Sequence, residues 1–226
     1  MVESNLTALR FQTVLMYPPM ELDEAVIRRI CFDISAIQDF TEIKVLKAGG
    51  AVLGSPGKRR CQIGPDRIIL SDNMPRASFE LFKGNVENVV ENVLGNQERP
   101  GVPIPIFVRQ SVSLRYLFPM NMDSREFFGR VIPLDMTTVN EWLDHPVAGI
   151  GLRMVMPPSR ERKTEYELKL EPYFRNLREV YVEVNANFLI PIPAANPSQI
   201  TENLDKASVF VHERVFGLLN WLTTRE

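Results

Sequence analysis

The strongest constraint on the fold of this chain is a strict two-residue alternation near its C-terminus. In "TEYELKLEPYF", residues 164–174, the apolar side chains of Tyr166, Leu168 and Leu170 alternate with charged ones. The stretch "REVYVEVNANFLIPI", residues 178–192, repeats the pattern. Because successive side chains of a strand point to opposite faces, such segments predict a sheet with one buried and one polar face. This arrangement is typical of antiparallel sheets.

Helical segments separate these strands from others. In "MELDEAVIRRICFDIS", residues 20–35, apolar residues recur at steps of four, which is one face of a helix. The chain ends in a predicted long helix that begins at about Asn196 and carries a broad apolar face. A helix that is apolar over so wide a face must lie on a sheet.

The proline-rich stretch "ERPGVPIP", residues 98–105, predicts an internal boundary. On each side the order of elements is strand, helix, three strands and helix, and "PMELDEAVIRRI" is echoed by "PMNMDSREFFGRVI". We therefore predict an α+β fold with two pseudo-repeated β-α-β-β-β-α halves, residues 1–98 and 99–226, that form one compact unit. Each half is expected to pack an antiparallel sheet on a long helix in a helix-grip-like arrangement. The pattern leaves open whether the halves form one sheet or two.

Composition and charge narrow the classes of function. The chain has 226 residues, of which 45% are hydrophobic and 24% charged, and these are ordinary values for a globular protein. The net charge of −2 argues against a nucleic-acid partner, since no overall basic field exists. No apolar run approaches the roughly 20 residues that a membrane helix needs, and no secretion signal is evident. With only two cysteines, Cys31 and Cys61, we expect a cytoplasmic protein with reduced, buried thiols.

Motifs for catalysis and cofactor binding are missing from the sequence. It contains neither a glycine-rich phosphate loop nor a metal-spaced Cys/His cluster, so we expect no cofactor and no metal. A candidate for acid–base chemistry is His145 beside Asp144, in a predicted loop before Pro146. His212 lies on the last helix, and nothing nearby in sequence would activate it.

Arginines within apolar strand segments are the most unusual feature. Arg10, Arg115 and Arg153 each follow a leucine and precede a large apolar residue, in "LRF", "LRY" and "LRM". By the two-residue period, Arg109 and Arg115 share one face of their strand with the two serines between them. Two guanidinium groups with hydroxyls between them suit a carboxylate or a phosphate. The alternative is that each arginine pairs with a glutamate of a neighbouring strand.

Several of these segments resemble a sporadically distributed family of uncharacterised bacterial proteins. The similarity lies in "CQIGPDRIILSDN", "VRQSVSLRYLFPM" and the terminal "VYVEVNANF…LDKASVFVHERVFGLLNWLTTRE", and it covers about the last two-thirds of the chain. Arg109, Leu114, Arg115 and Tyr116 match the strand motif of that family, and Ser113 replaces its usual glycine. The resemblance implies no activity and no catalytic residue. It singles out Arg109, Arg115 and Tyr116.

The leading functional hypothesis is a non-enzymatic protein that binds an anionic small molecule or a protein partner. In this hypothesis Arg109, Arg115 and Arg153 hold the anionic group, and Tyr116 forms an apolar or stacking wall. One alternative is an enzyme of hydrolase or transferase type that uses His145 with Asp144. Another is an assembly protein whose sheet edges pair between subunits in a homo-oligomer. Membrane and nucleic-acid partners are not expected.

Overall fold

One antiparallel sheet of nine strands, covered by helices on one face, organises the protein. The computed structural model describes residues 6–38, 40–47, 49–55, 59–73, 78–95 and 100–224. Its helices and antiparallel strands confirm the predicted α+β class. The predicted boundary at residues 98–99 lies outside the described residues.

The described residues of the N-terminal half form five strands and two helices. Their bounds are β1 (Thr7–Met16), α1 (Glu24–Gln38), β2 (Glu42–Val45), β3 (Ala51–Gly54), β4 (Arg59–Ile63), β5 (Arg67–Asn73) and α2 (Phe79–Leu94). This half has four strands after its first helix, where the sequence predicted three. The sequence "TEIKVLKAGGAVL", residues 41–53, predicts one strand interrupted by Gly49 and Gly50, but residues 42–45 and 51–54 are instead the two strands of the β2–β3 hairpin.

Two glycines allow the β2–β3 hairpin to form. Gly49 and Gly50 have φ of 85° and 93°, a region that side chains disfavour. A Cβ on Gly50 would also lie 2.1 Å from the carbonyl oxygen of Ile63 on β4. The glycines therefore mark a reversal of the chain, and only a glycine fits at position 50.

The C-terminal half has a similar order with additional short elements. Its bounds are β6 (Ile106–Phe107), β7 (Arg109–Pro119), α3 (Ser124–Val131), α4 (Met136–Leu143), β8 (Leu152–Met156), β9 (Thr164–Pro172), β10 (Glu179–Phe188), β11 (Ile192–Pro193), α5 (Ser198–Val209) and α6 (Phe216–Thr223). A π-helical turn, Phe210–Val215, joins α5 to α6. The short strands β6 and β11 pair with each other, apart from the main sheet.

The two halves share the main sheet. Its strand order is β2-β3-β4-β5-β1-β7-β10-β9-β8, and all neighbours are antiparallel. Within the main sheet, the first strand of each half pairs with the last one, β1 with β5 and β7 with β10. The halves meet where β1 pairs with β7. The sequence left open whether the halves form one sheet or two, and the described strands of both halves form one continuous sheet. A common origin of the halves stays a prediction.

The core lies between the sheet and the helices. On β10, Val180, Val182 and Val184 are fully buried, and the residues between them are partly exposed. The helices bring Val86, Val89 and Leu204, among others, against this face. Because one cluster of buried residues includes members of both halves, the halves share a core.

A buried polar network fixes α5 over the central strands. Gln110 on β7 is fully buried, and its Nε2 donates to the carbonyl oxygen of Ile200 at 3.1 Å and to Thr13 Oγ1 at 3.3 Å. Asn203 on α5 donates from Nδ2 to Gln110 Oε1 at 2.9 Å. Since buried polar groups are stable only when paired, this network specifies one position of the helix along the strand.

The last helix departs from the sequence expectation in its details. It begins at Ser198, two positions later than Asn196, and its π-helical turn widens the backbone at residues 210–215. His212 in this turn is exposed, and its ring lies 5.7 Å from that of Tyr116 and 5.3 Å from that of Phe216. Within the residues that the structure describes, none of the helices has the length and apolarity to cross a membrane.

A candidate anion-binding face

The side of the main sheet opposite the helices, here called the open face, carries the predicted arginines. Side chains on its central strands are partly exposed and mostly polar. As the two-residue period predicted, the open face receives Arg109, Ser111, Ser113 and Arg115 from β7. It receives alternate residues of the neighbouring strands as well, including Arg10 and Gln12 from β1 and Tyr181, Glu183, Asn185 and Asn187 from β10.

Arg10 lies directly opposite Arg115. A register shift between Ala8 and Arg10 in the β1–β7 pairing brings these two positions together. Like charges that face each other across antiparallel strands destabilise a sheet, whereas opposite charges stabilise it. The pair is therefore an arrangement that strand packing alone does not favour.

The two arginines belong to a row of residues that crosses the sheet, here called the transverse row. Cross-strand pairing places its members on consecutive strands in the order Asn73, Arg10, Arg115, Glu183, Lys169, Arg153. Four of these six side chains are cationic and one is a carboxylate. The transverse row thus concentrates positive charge on a chain whose net charge is −2.

Carboxylates on the open face neutralise most of these cations. Arg115 Nη2 lies 3.0 Å from Glu183 Oε1, and Arg153 Nε lies 2.7 Å from Glu167 Oε1. These ion pairs are the alternative that the sequence had left open. Arg10 differs from both, since it forms no ion pair with a described carboxylate and donates instead to the side-chain oxygen of Gln12.

Burial and neighbouring charge act together on these groups. Burial, and then the charge of Arg115, lower the pKa of Arg10 below its usual value. Burial raises the pKa of the Glu183 carboxyl, but a hydrogen bond from Tyr181 and the charge of Arg115 outweigh it, so the pKa ends below its usual value. The Tyr181 hydroxyl donates to Glu183 Oε2 at 2.6 Å. Glu183 therefore stays ionised between Tyr181 and Arg115.

Polar atoms without a hydrogen-bond partner are concentrated on the open face. Among the described residues, six buried side-chain nitrogen or oxygen atoms lack a partner, and four of them lie here. They are Arg10 Nε, Arg109 Nε, Arg115 Nε and Ser113 Oγ. Desolvating a polar group without a compensating hydrogen bond costs about 1–3 kcal/mol. Such groups are uncommon in folded proteins, so their concentration on β1 and β7 calls for a physical reason.

The structure separates residues that the sequence had assigned to one site. Arg109 and Arg115 are six residues apart on one strand, which is roughly 20 Å, so one small anion cannot contact both. Arg153 shares the transverse row with Arg115 but lies three strands away, roughly 14 Å. The Arg153 side chain is 67% exposed on the edge strand β8.

The structure contradicts the role predicted for Tyr116. It is 4% exposed, and its ring packs against Phe11, His212 and Phe216 on the helix side of the sheet. Burial raises the pKa of its hydroxyl. It cannot form a wall beside Arg115, because neighbouring residues of a strand point to opposite faces.

The environment of His145 does not provide an activated base. His145 and Asp144 lie after α4, on the rim of a shallow depression of about 420 Å³, and both are exposed. In the described portion of the chain no hydrogen bond joins His145 to a carboxylate. The geometric condition for the hydrolase or transferase alternative is therefore not met in this conformation.

Both cysteines are buried, as the sequence predicted. Cys31 is 1% exposed and Cys61 is fully buried, and they do not form a disulfide. Burial raises the pKa of the Cys31 thiol to about 11 and that of Cys61 as well. The described residues contain no cluster of three or more His, Cys, Asp or Glu side chains that could hold a metal ion.

Sequence reasoning did not find the central feature of the site. The echo "LRF", "LRY", "LRM" marked Arg10 and Arg115 as similar positions, but it did not show that they are paired. Glu183 and Tyr181 were read only as part of an alternating strand. Their contact with Arg115 depends on which strand lies beside β7, and no local pattern carries that information.

Comparisons with known proteins supply no further assignment. No protein-family profile matches the chain, and no curated protein is significantly similar to it. The function must therefore be argued from the open face.

Proposed function

We propose that this protein is a non-enzymatic binding protein whose open face takes a carboxylate or phosphate group at Arg10 and Arg115. The observation that carries the proposal is the direct pairing of these two arginines across β1 and β7, where Glu183 is the one described carboxylate bonded to either of them. The anionic group belongs either to a small molecule or to an acidic side chain of a protein partner.

The energetics favour an incoming anion at this position. An anion between the two guanidinium groups replaces their repulsion by two attractive, charge-assisted contacts. Arginine presents its N–H groups as a planar fork that matches the oxygens of carboxylates and phosphates. Partial burial lowers the local dielectric constant and strengthens these contacts relative to water. The buried Nε atoms without partners indicate that the protein itself does not satisfy these side chains.

The cellular location that the sequence predicts is compatible with this role. A cytoplasmic location fits two buried cysteines that remain free thiols. An open sheet face fits a binding role better than hydrolysis or group transfer, which need enclosed and activated groups.

The first test is whether the purified protein holds or accepts an anion. Native mass spectrometry compares the intact mass with the denatured mass, and an excess that disappears on denaturation reveals a retained ligand. Thermal unfolding is then measured with inorganic phosphate and with succinate at constant ionic strength. Saturation at about 100 times Kd stabilises a protein by about 2.7 kcal/mol. For a chain of this size that corresponds to a Tm increase of roughly 5–10 °C.

Two variants assign any response to a place on the sheet. Arg10→Gln removes the guanidinium that forms no ion pair with a described carboxylate, and we expect it to abolish the ligand-dependent increase in Tm. Arg153→Gln is the matched control, because it removes an arginine of the same transverse row that is exposed and bonded to Glu167. Equal responses of both variants, or no response of the wild-type protein to either anion together with no retained mass, would overturn the proposal.

A further inference from the structure

The open face carries a longer polar surface than one anion needs. Between β1 and β7 runs a two-strand strip, here called the β1–β7 strip. It consists of Arg10, Gln12, Val14 and Met16 on β1 and Arg109, Ser111, Ser113 and Arg115 on β7. All of these side chains are partly exposed, and both strands are central in the sheet.

Positive charge occupies both ends of the β1–β7 strip. At one end Arg10 lies opposite Arg115, and at the other Arg109 lies opposite Met16. Arg109 forms no ion pair with any described carboxylate, and its Nε is buried without a partner. The two ends are six residues apart along β7, or roughly 20 Å. A ligand that contacts both must be extended and must carry a negative group at each end.

Hydrogen-bonding groups fill the middle of the strip. Ser111 Oγ donates to Asn187 Oδ1 at 2.7 Å, whereas Ser113 Oγ has no partner. Gln12 lies opposite Ser113, and Val14 lies opposite Ser111. A mixture of small polar and apolar side chains between two cationic ends suits an uncharged, extended stretch of peptide.

Acidic side chains border the strip on one side. Glu183 on β10 lies beside it, and Glu165 lies one strand further, on β9, where it accepts a hydrogen bond from Asn187 at 3.0 Å. A continuous polyanion such as a nucleic acid would be repelled by these carboxylates. Two separate negative charges, one at each end, avoid this repulsion.

We infer that the β1–β7 strip binds an extended acidic segment of a protein partner, in which two acidic residues six positions apart contact the two arginine ends. The inference rests on the proposed anion site at Arg10 and Arg115 and adds Arg109 as a second anchor. An extended peptide rises about 3.4 Å per residue, so six positions also span roughly 20 Å. Because its side chains alternate, residues six positions apart point to the same side, whereas residues five apart do not.

Synthetic peptides test this spacing directly. The probe is a nine-residue, dye-labelled peptide of serine and threonine with glutamates at its second and eighth positions. Two controls are a peptide with glutamates at the second and seventh positions and a peptide with one glutamate. Fluorescence anisotropy at low salt should give a Kd for the first peptide at least about tenfold lower than for either control, because a second tethered contact acts at high effective concentration. Equal affinities of all three peptides would overturn the inference.

Variants separate this inference from the proposal on which it rests. Arg109→Gln should reduce the affinity of the two-glutamate peptide to that of the one-glutamate peptide and leave the response to phosphate unchanged. Arg153→Gln should change neither, and unchanged Tm values confirm that both variants fold. If phosphate acts at Arg10 but the second glutamate adds nothing, the second anchor is wrong and the anion site stands. If neither probe binds, both are wrong.

A last control addresses the competing class of partner. A labelled single-stranded oligonucleotide of similar length is titrated under the same conditions. We expect weaker binding than for the two-glutamate peptide, because the bordering carboxylates repel a continuous polyanion. Tighter binding of the oligonucleotide, with loss in Arg109→Gln, would contradict the peptide assignment.

Discussion

Arg10 carries a charge that no described carboxylate of the neighbouring strands balances by an ion pair. Arg115 lies opposite Arg10 and forms an ion pair with Glu183. Arg10 instead donates a hydrogen bond to the side-chain oxygen of Gln12. A sheet selected for stability alone would place an acidic or uncharged residue at this position. Violations of a packing rule at a single position are common at functional sites.

We predict that Arg10→Gln stabilises the ligand-free protein. The substitution removes a pair of like charges on facing strands, a pair that destabilises the folded state. Cross-strand pairs change the free energy of unfolding by roughly 0.2–1 kcal/mol. Urea unfolding should therefore give a higher free energy of unfolding for Arg10→Gln than for the wild-type protein.

Arg115→Gln provides the comparison for that result. It removes the partner of the Glu183 carboxylate, which is only 14% exposed, so we expect a lower free energy of unfolding. The outcome that contradicts this electrostatic account is destabilisation by both substitutions to the same extent.

Asn203 is a second residue whose importance depends on one contact. We predict that Asn203→Ala lowers the free energy of unfolding by about 1–3 kcal/mol, because it leaves the buried Oε1 of Gln110 without a donor. Urea denaturation measures the change.

A double variant separates the unpaired polar group from lost packing. Replacing both partners by apolar residues, Gln110→Met with Asn203→Leu, removes every polar atom of their hydrogen bond. This double variant should be more stable than Gln110→Met alone, which also loses the bonds of Gln110 Nε2 but leaves Asn203 Nδ2 without an acceptor. If it is less stable, packing rather than hydrogen bonding explains the cost.

At the scale of elements, α4 depends on its N-cap to an unusual degree. The helix buries none of its residues, and Trp142 on it is 85% exposed. Its cap, Asp135, accepts hydrogen bonds from the backbone N–H groups of Thr137 and Thr138 and from Thr138 Oγ1. Since no residue of α4 is fully buried, these local bonds hold its first turn.

We predict that Asp135→Ala loosens α4 alone. Hydrogen–deuterium exchange of the α4 amides should become several-fold faster, and the Tm should remain unchanged because α4 contributes nothing to the core. Asp135→Asn should keep most of the protection, since asparagine also caps helices. Faster exchange elsewhere in the sheet would contradict the local role.

The Asp135 cap makes the stability of α4 depend on pH. Hydrogen bonds from the Thr138 hydroxyl and the backbone lower the pKa of Asp135. A carboxyl with a lowered pKa stabilises the folded form above its unfolded pKa of about 3.9, and this contribution is lost as the pH falls further. Protection of α4, corrected for intrinsic exchange, should therefore be constant near neutral pH and decrease below about pH 4.

Element identity was largely predictable, whereas strand number was not. The alternating segments became β9 and β10, and the segment with a four-residue period became α1. The β2–β3 hairpin was missed because Gly49 and Gly50 were read as interruptions of a strand, although a positive φ at both produces a reversal. Glycine is compatible with both interpretations, so only the pairing of β2 with β3 distinguishes them.

At the scale of the whole molecule, the two halves are joined in three ways. The strands β1 and β7 pair along their length, one buried cluster includes both halves, and Lys83 on α2 bonds to Asp205 on α5 at 2.8 Å. Without the other half, β1 and β7 would each become an edge strand with one side unpaired.

We predict that the halves unfold in a single transition, and the chain contains probes for each half. Both cysteines lie in the N-terminal half and both tryptophans in the C-terminal half. In a Trp142→Phe background, fluorescence reports Trp221, while brief pulses of a thiol reagent report Cys31 and Cys61. The urea midpoints from the two probes should coincide. Two separated midpoints would mean that the halves are independent folding units.

The sequence by itself determined what depends on local periodicity. Alternation specified an antiparallel sheet with one polar face, and it placed Arg109, Ser111, Ser113 and Arg115 together on that face. Buried thiols were predicted from Cys31, which lies between Ile30 and Phe32 on an amphipathic helix, and from Cys61, which begins a strand. These properties follow from the fixed directions of side chains along a strand or a helix, which neighbouring residues set.

Only the tertiary structure decided which strands lie side by side. The pairing of β1 with β7 places Arg10 opposite Arg115, and the pairing of β10 with β7 brings Glu183 to Arg115. Register between distant strands depends on the packing of the whole sheet against its helices, so it leaves no signal in either strand alone. The candidate site is therefore a property of the assembled sheet, although each of its arginines is visible in the sequence.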